Sequence, residues 1–166
     1  MADIKGPVVA NKLYCDGVEV AQDVTFTLPE VVFKTAEISA MGTMTVPLIG
    51  LIDNLEVTIN KIGLDEGFSK LSRLDKHKLE FRWVQTKINK IGSVYNEGCK
   101  AFVQTLPANI PSVNIEPGNA TEVEHKFNVT RLEIYVAGKE SIVVDRLNNI
   151  LKVNGVNYST SISNLL

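Results

Sequence analysis

The sequence predicts a mainly β protein: an antiparallel β-sandwich or barrel with one short α-helix, in a single domain over residues 1–166. Three observations predict it. Val, Ile and Thr supply 45 of the 166 residues, and β-branched side chains lose rotamers in helices but pack well on pleated surfaces. The pairs Asp16-Gly17 and Asn154-Gly155 are of the kind that closes two-residue hairpins, because both turn positions need φ > 0. Only the stretch from Leu64 to Leu74 carries apolar residues at helical spacing over several turns.

The elements follow in order. Lys12–Cys15 and Val18–Val20 flank the first hairpin pair. Val24–Leu28 alternates, Pro29-Glu30 interrupts it, and Val31–Ile38 resumes as a strand. Leu55, Val57 and Ile59 alternate with Glu56, Thr58 and Asn60, which gives one dry and one wet face. In the helix, Leu64, Phe68, Leu71 and Leu74 form one stripe, with Asp65 and Glu66 at its start and Arg73, Lys76 and His77 at its end, as the macrodipole favours. Gly67 weakens it by about 1 kcal/mol relative to alanine.

Two long strands slip in phase. In Lys78–Ile88 the apolar parity passes from Leu79, Phe81 and Trp83 to Val84 and Ile88. In Val123–Val136 it passes from Val123, Phe127 and Val129 to Leu132, Ile134 and Val136. Each slip requires a bulge, or a strand that leaves one sheet for another. Gly92–Ala120 reads as loops and short edge pieces, apart from an extended run near Ala101–Leu106, because Pro107, Pro111 and Pro117 interrupt it. Ala137-Gly138-Lys139 turns between two further strands, and Asn154-Gly155 joins Ile150–Val153 to Val156–Tyr158.

Composition excludes several function classes. Lys and Arg number 17 against 19 acids, for a net charge of −2, and the sequence has no clustered basic face of the kind that grips phosphates. Cys15 and Cys99 are too few and too far apart for a disulfide framework or a thiolate metal site, and read as buried or neutral thiols. His77, set among Asp75, Lys76 and Lys78, reads as a solvated residue facing a helix end. His125 lies on the parity opposite to Glu122 and Glu124, which makes a metal cluster there geometrically poor. The chain shows no phosphate-cradling glycine loop, nucleophile elbow or paired-Cys zinc spacing. Neither catalysis, a cofactor nor a metal is expected. The N-terminal residues show no secretory signal, and Asn119, Asn128 and Asn157, which match the glycosylation pattern, read as turn and strand residues.

The stretch Ile38–Ile52 has no charge and two of the three methionines, Met41 and Met44. At 15 residues, interrupted by Gly42, Pro47 and Gly50, it is too short and broken to span a bilayer. Without clean helix or strand periodicity, it reads either as a buried crossover or as a loop kept apolar because a partner covers it. Thioethers suit such contacts by adapting to irregular gaps.

At this stretch the chain resembles the major tail tube proteins of contractile-tailed phages and phage-tail-like bacteriocins. The resemblance rests on Leu13-Tyr-Cys-Asp-Gly17, Thr27-Leu-Pro-Glu30, Lys34-Thr-Ala-Glu37, Met41-Gly42 and Leu48-Ile-Gly50. It continues through Leu55–Ile62, Leu64–Leu74, Leu132–Gly138, Ser141–Asp145 and Asn149–Val156. It implies a non-enzymatic structural subunit of hexameric rings stacked into a hollow tube, with a tail sheath, a baseplate and a tape measure protein as partners. DNA would pass through the lumen in a true phage. The expected location is a virion or extracellular particle assembled in the bacterial cytoplasm, with no membrane binding by this chain. Under this reading Ile38, Met41, Gly42, Met44, Val46, Pro47 and Leu48 contact a neighbouring subunit or ring. Glu56, Thr58, Asn60, Glu122, Glu124, Lys126 and Asn128 face the lumen. The competing reading is a monomeric β-sandwich that binds carbohydrate or peptide, against which stand a 7% aromatic content and the core parity of Trp83.

Overall fold

The computed structural model describes residues 3–166. Strand β1 (Ile4–Cys15) turns at Asp16-Gly17 into β2 (Val18–Gln22), followed by β3 (Thr25–Thr27). A hairpin of β4 (Phe33–Ser39) and β5 (Thr43–Ile52) comes next, then β6 (Glu56–Ile62) and helix α1 (Glu66–Leu71). Three long strands, β7 (His77–Ile88), β8 (Val94–Pro107) and β9 (Glu122–Val136), precede β10 (Lys139–Asp145), β11 (Ile150–Val153), β12 (Val156–Asn157) and a single turn, α2 (Thr160–Ser163). Both hairpin pairs take the expected left-handed conformation, with φ of 51° and 84° at Asp16 and Gly17 and 52° and 83° at Asn154 and Gly155. Ala137 and Gly138 do the same.

The main sheet runs β12-β11-β10-β9-β8-β7-β1-β2, entirely antiparallel. Strand β9 serves two neighbours along one edge: Glu122–Asn128 pairs with β6, and Arg131–Val136 pairs with β10. The hand-over falls at the phase slip read from the sequence. Gln104 faces Arg131 while Thr105 faces Val129, so β9 carries one residue more than β8 there. Val123, His125, Phe127 and Val129 are buried before the bulge, and Leu132 after it. In β7 the slip has a different origin. The β7–β8 ladder is unbroken, and the shifts lie in β1, on either side of Val8.

The sheet curls until β3 meets β1 and β7. The Phe26 and Phe81 rings stand 4.5 Å apart, and the Asn11 carboxamide donates to the Val24 carbonyl at 2.8 Å while accepting the Val24 N–H at 2.9 Å. One core fills the enclosed space, built from Leu13, Leu55, Val57, Ile59, Leu79, Phe81, Ala101, Val103, Phe127 and Leu132, among others. Fully burying such side chains contributes about 1.5–3 kcal/mol each.

Helix α1 is shorter than its sequence stripe. Asp65 is the N-cap, its Oδ1 accepting the Phe68 N–H at 3.1 Å. Ser72 ends the helix, so Leu64 and Leu74 fall outside it and are exposed while Leu71 is buried. Gly67 is required by packing: a Cβ there would stand 2.1 Å from the Val20 carbonyl oxygen. Strand β8 corrects the reading of Gly92–Ala120. Its residues Val94–Pro107 form one long strand, paired with β7 over Val94–Thr105 and with β9 over Cys99–Pro107, and only the remainder lacks regular structure. Among the described residues, no helix is long and apolar enough to cross a membrane.

Candidate assembly surfaces

The wet faces of β6 and β9 converge on one surface. Glu56 stands opposite Asn128, Thr58 opposite Lys126, and Asn60 opposite Glu124, with Glu122 completing the row beside Ile62. Because cross-strand partners share a face, all seven candidates from the sequence lie together. None is buried. The same outward face continues over β8 and β7 through Gln104, Lys100, Lys78 and Arg82, and through Glu80. It is of mixed sign, with acids prominent on β6–β9 and bases on β7–β8, and Phe102 packed edge-on against Tyr135 interrupts it. The segment after β8 flanks it. Asn109 accepts the Lys126 N–H at 2.8 Å and donates to the Glu124 carbonyl at 3.2 Å.

The uncharged stretch is neither a buried crossover nor an irregular loop. It forms most of the β4–β5 hairpin, whose two strands pair only with each other. Met41 (φ 54°) and Gly42 (φ 110°) make its tip. Ile38 faces Met44, Ala36 faces Val46, and Lys34 faces Leu48, so these side chains share one face of the ribbon. Thr35 with Pro47 and Glu37 with Thr45 occupy the other. Hence the stretch does alternate: Met44, Val46 and Leu48 on one side, Thr43, Thr45 and Pro47 on the other. Pro47 is tolerated because each strand of a two-stranded ribbon is an edge. Of the seven proposed contact residues only Val46 is half-buried, and Met41 is fully exposed. At the root, Asp53 N–H donates to the Val32 carbonyl at 2.9 Å and Arg146 Nη2 to the Ile52 carbonyl at 3.0 Å. Ile162 of α2 closes on Gly50.

A further surface escaped the sequence. Strand β2 pairs with β1 only over Lys12–Cys15, so among the described residues the opposite edge of Ile4–Ala10 has no strand beside it. Where β1, β7 and β8 run beyond the core, Ile4 faces Ile88 and Ile88 faces Val94 on one face, all exposed, as are Val8 and Val9. Strand β6 is likewise covered by β3 only over Thr58–Asn60. Unpaired edges of this length are templates for another chain.

Two buried polar groups complete the picture. His125, on the core side as parity required, lies against Phe68 and Phe127, and its Nε2 has no hydrogen-bond partner among the described residues. Burial, with the Lys61 ammonium adding to it, lowers its pKa to about 4. His77 is not solvated. It is completely buried at the start of β7, its Nε2 2.9 Å from the Arg73 carbonyl and its Nδ1 3.5 Å from Cys15 Sγ. Cys15 and Cys99 are buried free thiols, as read from the sequence. Burial, reinforced by the Asp16 charge, pushes Cys15 up to about 11.

Comparisons with known proteins bear on the family and the fold. The family model for phage tail tube protein FII matches residues 8–166. No curated protein matches the sequence. Among solved structures, the fold is similar to a chain of an extracellular contractile injection system, the PVC sheath–tube complex in its extended state. The TM-score is 0.54 at 14% identity, over 78% of this chain and 90% of that one.

Proposed function

The chain belongs to the phage tail tube protein FII family, and from that premise we propose that it builds hexameric rings that stack into the inner tube of a contractile tail. The observation that carries this reading is the unfinished sheet: β1 has an open edge over Ile4–Ala10, and β6 is only partly covered. Lateral pairing between copies removes both edges, and a heterologous contact that closes around an axis makes a ring. The exposed Ile4–Ile88–Val94 row lies where the strands leave the core, so it is buried by the same event.

The polar face of β6 and β9 then lines the lumen with Glu56, Thr58, Asn60, Glu122, Glu124, Lys126 and Asn128. Mixed charge keeps that lining hydrated without a basic stripe to hold phosphates, so DNA or a tape measure protein slides past. The β4–β5 arm lays Ile38, Met44, Val46 and Leu48, with Met41 and Gly42 at its tip and Pro47 beside them, against a neighbouring subunit or ring. Burying an apolar face of this kind supplies the association energy. Sheath and baseplate are the remaining partners, the particle is a virion or an extracellular tail-like assembly put together in the bacterial cytoplasm, and the role is structural rather than enzymatic.

Electron microscopy of the purified chain, alone and seeded with baseplates, tests this. Hollow tubes with sixfold end views are the expected result. A strictly monomeric species at high concentration under both conditions overturns it.

A further inference from the structure

We propose that Cys15, Asp16 and His77 form a binding site for one zinc-class divalent cation, a role independent of the tube reading above. Residues 62 apart in sequence are brought together because the Asp16-Gly17 turn folds back on the start of β7: the Asp16 N–H donates to the Lys78 carbonyl at 2.9 Å, and Cys15 faces Leu79 across the ladder. The three possible ligand atoms form a nearly equilateral triangle. Cys15 Sγ is 3.5 Å from His77 Nδ1 and 3.8 Å from Asp16 Oδ2, and Nδ1 is 3.7 Å from Oδ2. The circumcentre of the triangle lies ~2.1 Å from each atom, and an ion raised slightly from that plane toward a fourth ligand sits within the roughly 2.0–2.3 Å of zinc bonds to oxygen, nitrogen and sulfur.

The surrounding hydrogen bonds select these atoms as ligands. His77 Nε2 is 2.9 Å from the Arg73 carbonyl, an acceptor only, so Nε2 carries a proton and Nδ1 is the nitrogen that offers a lone pair to a metal. A backbone carbonyl on the far nitrogen is the usual support of a metal-bound imidazole. Asp16 is oriented in the same way, its Oδ1 accepting the Lys78 N–H at 3.1 Å while Oδ2 turns toward the thiol and the imidazole. Cys15 and His77 are buried and Asp16 is partly exposed, which leaves a water to complete a tetrahedron from the solvent side. The Arg73 guanidinium bonds Oδ2 at 2.9 Å. It is half exposed, so it shares the carboxylate or moves into water when the cation enters.

Binding replaces the Cys15 S–H proton by the metal and releases one proton per cation, so affinity rises with pH. Without metal, the same geometry is a thiol hydrogen-bonded within a buried cluster, and spectroscopy separates the two. Titrating the untagged chain with Co²⁺ is expected to give the intense near-ultraviolet thiolate-to-cobalt band, saturating at one ion per chain and bleached by Zn²⁺. Zn²⁺ is expected to raise the melting temperature by several degrees, reversibly with a chelator. C15S is expected to lose the band, and D16N to bind at least tenfold more weakly. No band in the wild-type chain at several-fold excess Co²⁺, with no Zn²⁺-dependent shift in melting, overturns the proposal. So does a D16N affinity equal to wild type.

Discussion

Ile38 and Met44 stand directly opposite one another near the tip of the β4–β5 arm, 45% and 53% exposed. Two large apolar side chains paired in register, with no part of their own chain over them, are a contact surface awaiting its counterpart. Met44→Asp, and likewise Met41→Asp, is expected to abolish tube formation by sedimentation and microscopy. The monomer should keep its circular dichroism and its melting temperature to within about 2 °C, because exposed substitutions typically change stability by no more than ~0.5 kcal/mol. Normal tubes from either variant would remove the arm from the assembly interface.

The open β1 edge makes a separate prediction. Val9 is 62% exposed beside an unpaired run of backbone, and a lysine there guards an edge against pairing. Val9→Lys is expected to block ring closure while leaving the arm and the monomer intact. In analytical ultracentrifugation it should remain monomeric, and mixing it with wild-type chain should shorten the tubes by terminating rings.

His125 sets an acid limit on the fold. Its folded pKa of about 4 lies below the unfolded value near 6.5, so the folded state binds fewer protons. Stability from this group is therefore complete above pH ~6.5, declines as pH falls toward 4, and below that is reduced by a constant ~3 kcal/mol at most. His125→Phe removes both the titration and the partnerless Nε2 in a site already lined by Phe68 and Phe127. Urea unfolding at pH 7 and at pH 4.5 should show the variant flatter with pH than wild type and at least as stable at neutrality.

Gly67 separates propensity from packing. On helix propensity alone, alanine would stabilise α1 by about 1 kcal/mol. Yet its Cβ would meet the Val20 carbonyl at 2.1 Å, a backbone atom that can yield only by moving β2. Gly67→Ala is expected to destabilise by about 2–3 kcal/mol, read as a lowered denaturation midpoint with an unchanged slope.

Much of this architecture was legible in the residues. Asp16-Gly17 and Asn154-Gly155 announced their hairpins because few other pairs accept left-handed backbone at both positions, and the parity change between Val129 and Leu132 marked the bulge in β9. The seven wet-face residues were legible as well, since strict alternation on β6 and β9 leaves them no other side. Strand β8 was obscured because its first half projects beyond the core. With neither face fully buried, Val94, Asn96 and Gly98 carry no dry–wet alternation to read. The arm was obscured for the opposite reason: Ile49 and Leu51, in the irregular stretch between Leu48 and Ile52, add apolar residues that blur the period. The meeting of Cys15 with His77 depends on how β1 registers with β7, which no local spacing records.

The single extra residue in β9 has a reach beyond its own turn. Val129 and Leu132 are three residues apart yet both face the core, because the extra residue between them absorbs the change of parity. A one-residue deletion at Thr130 would therefore straighten the ladder, with Arg131 and Glu133 still outward and Leu132 still inward, and would remove the offset at which β9 passes from β6 to β10. Losing one residue at the bulge alters the strand's course; losing one elsewhere in its paired run exchanges wet side for dry.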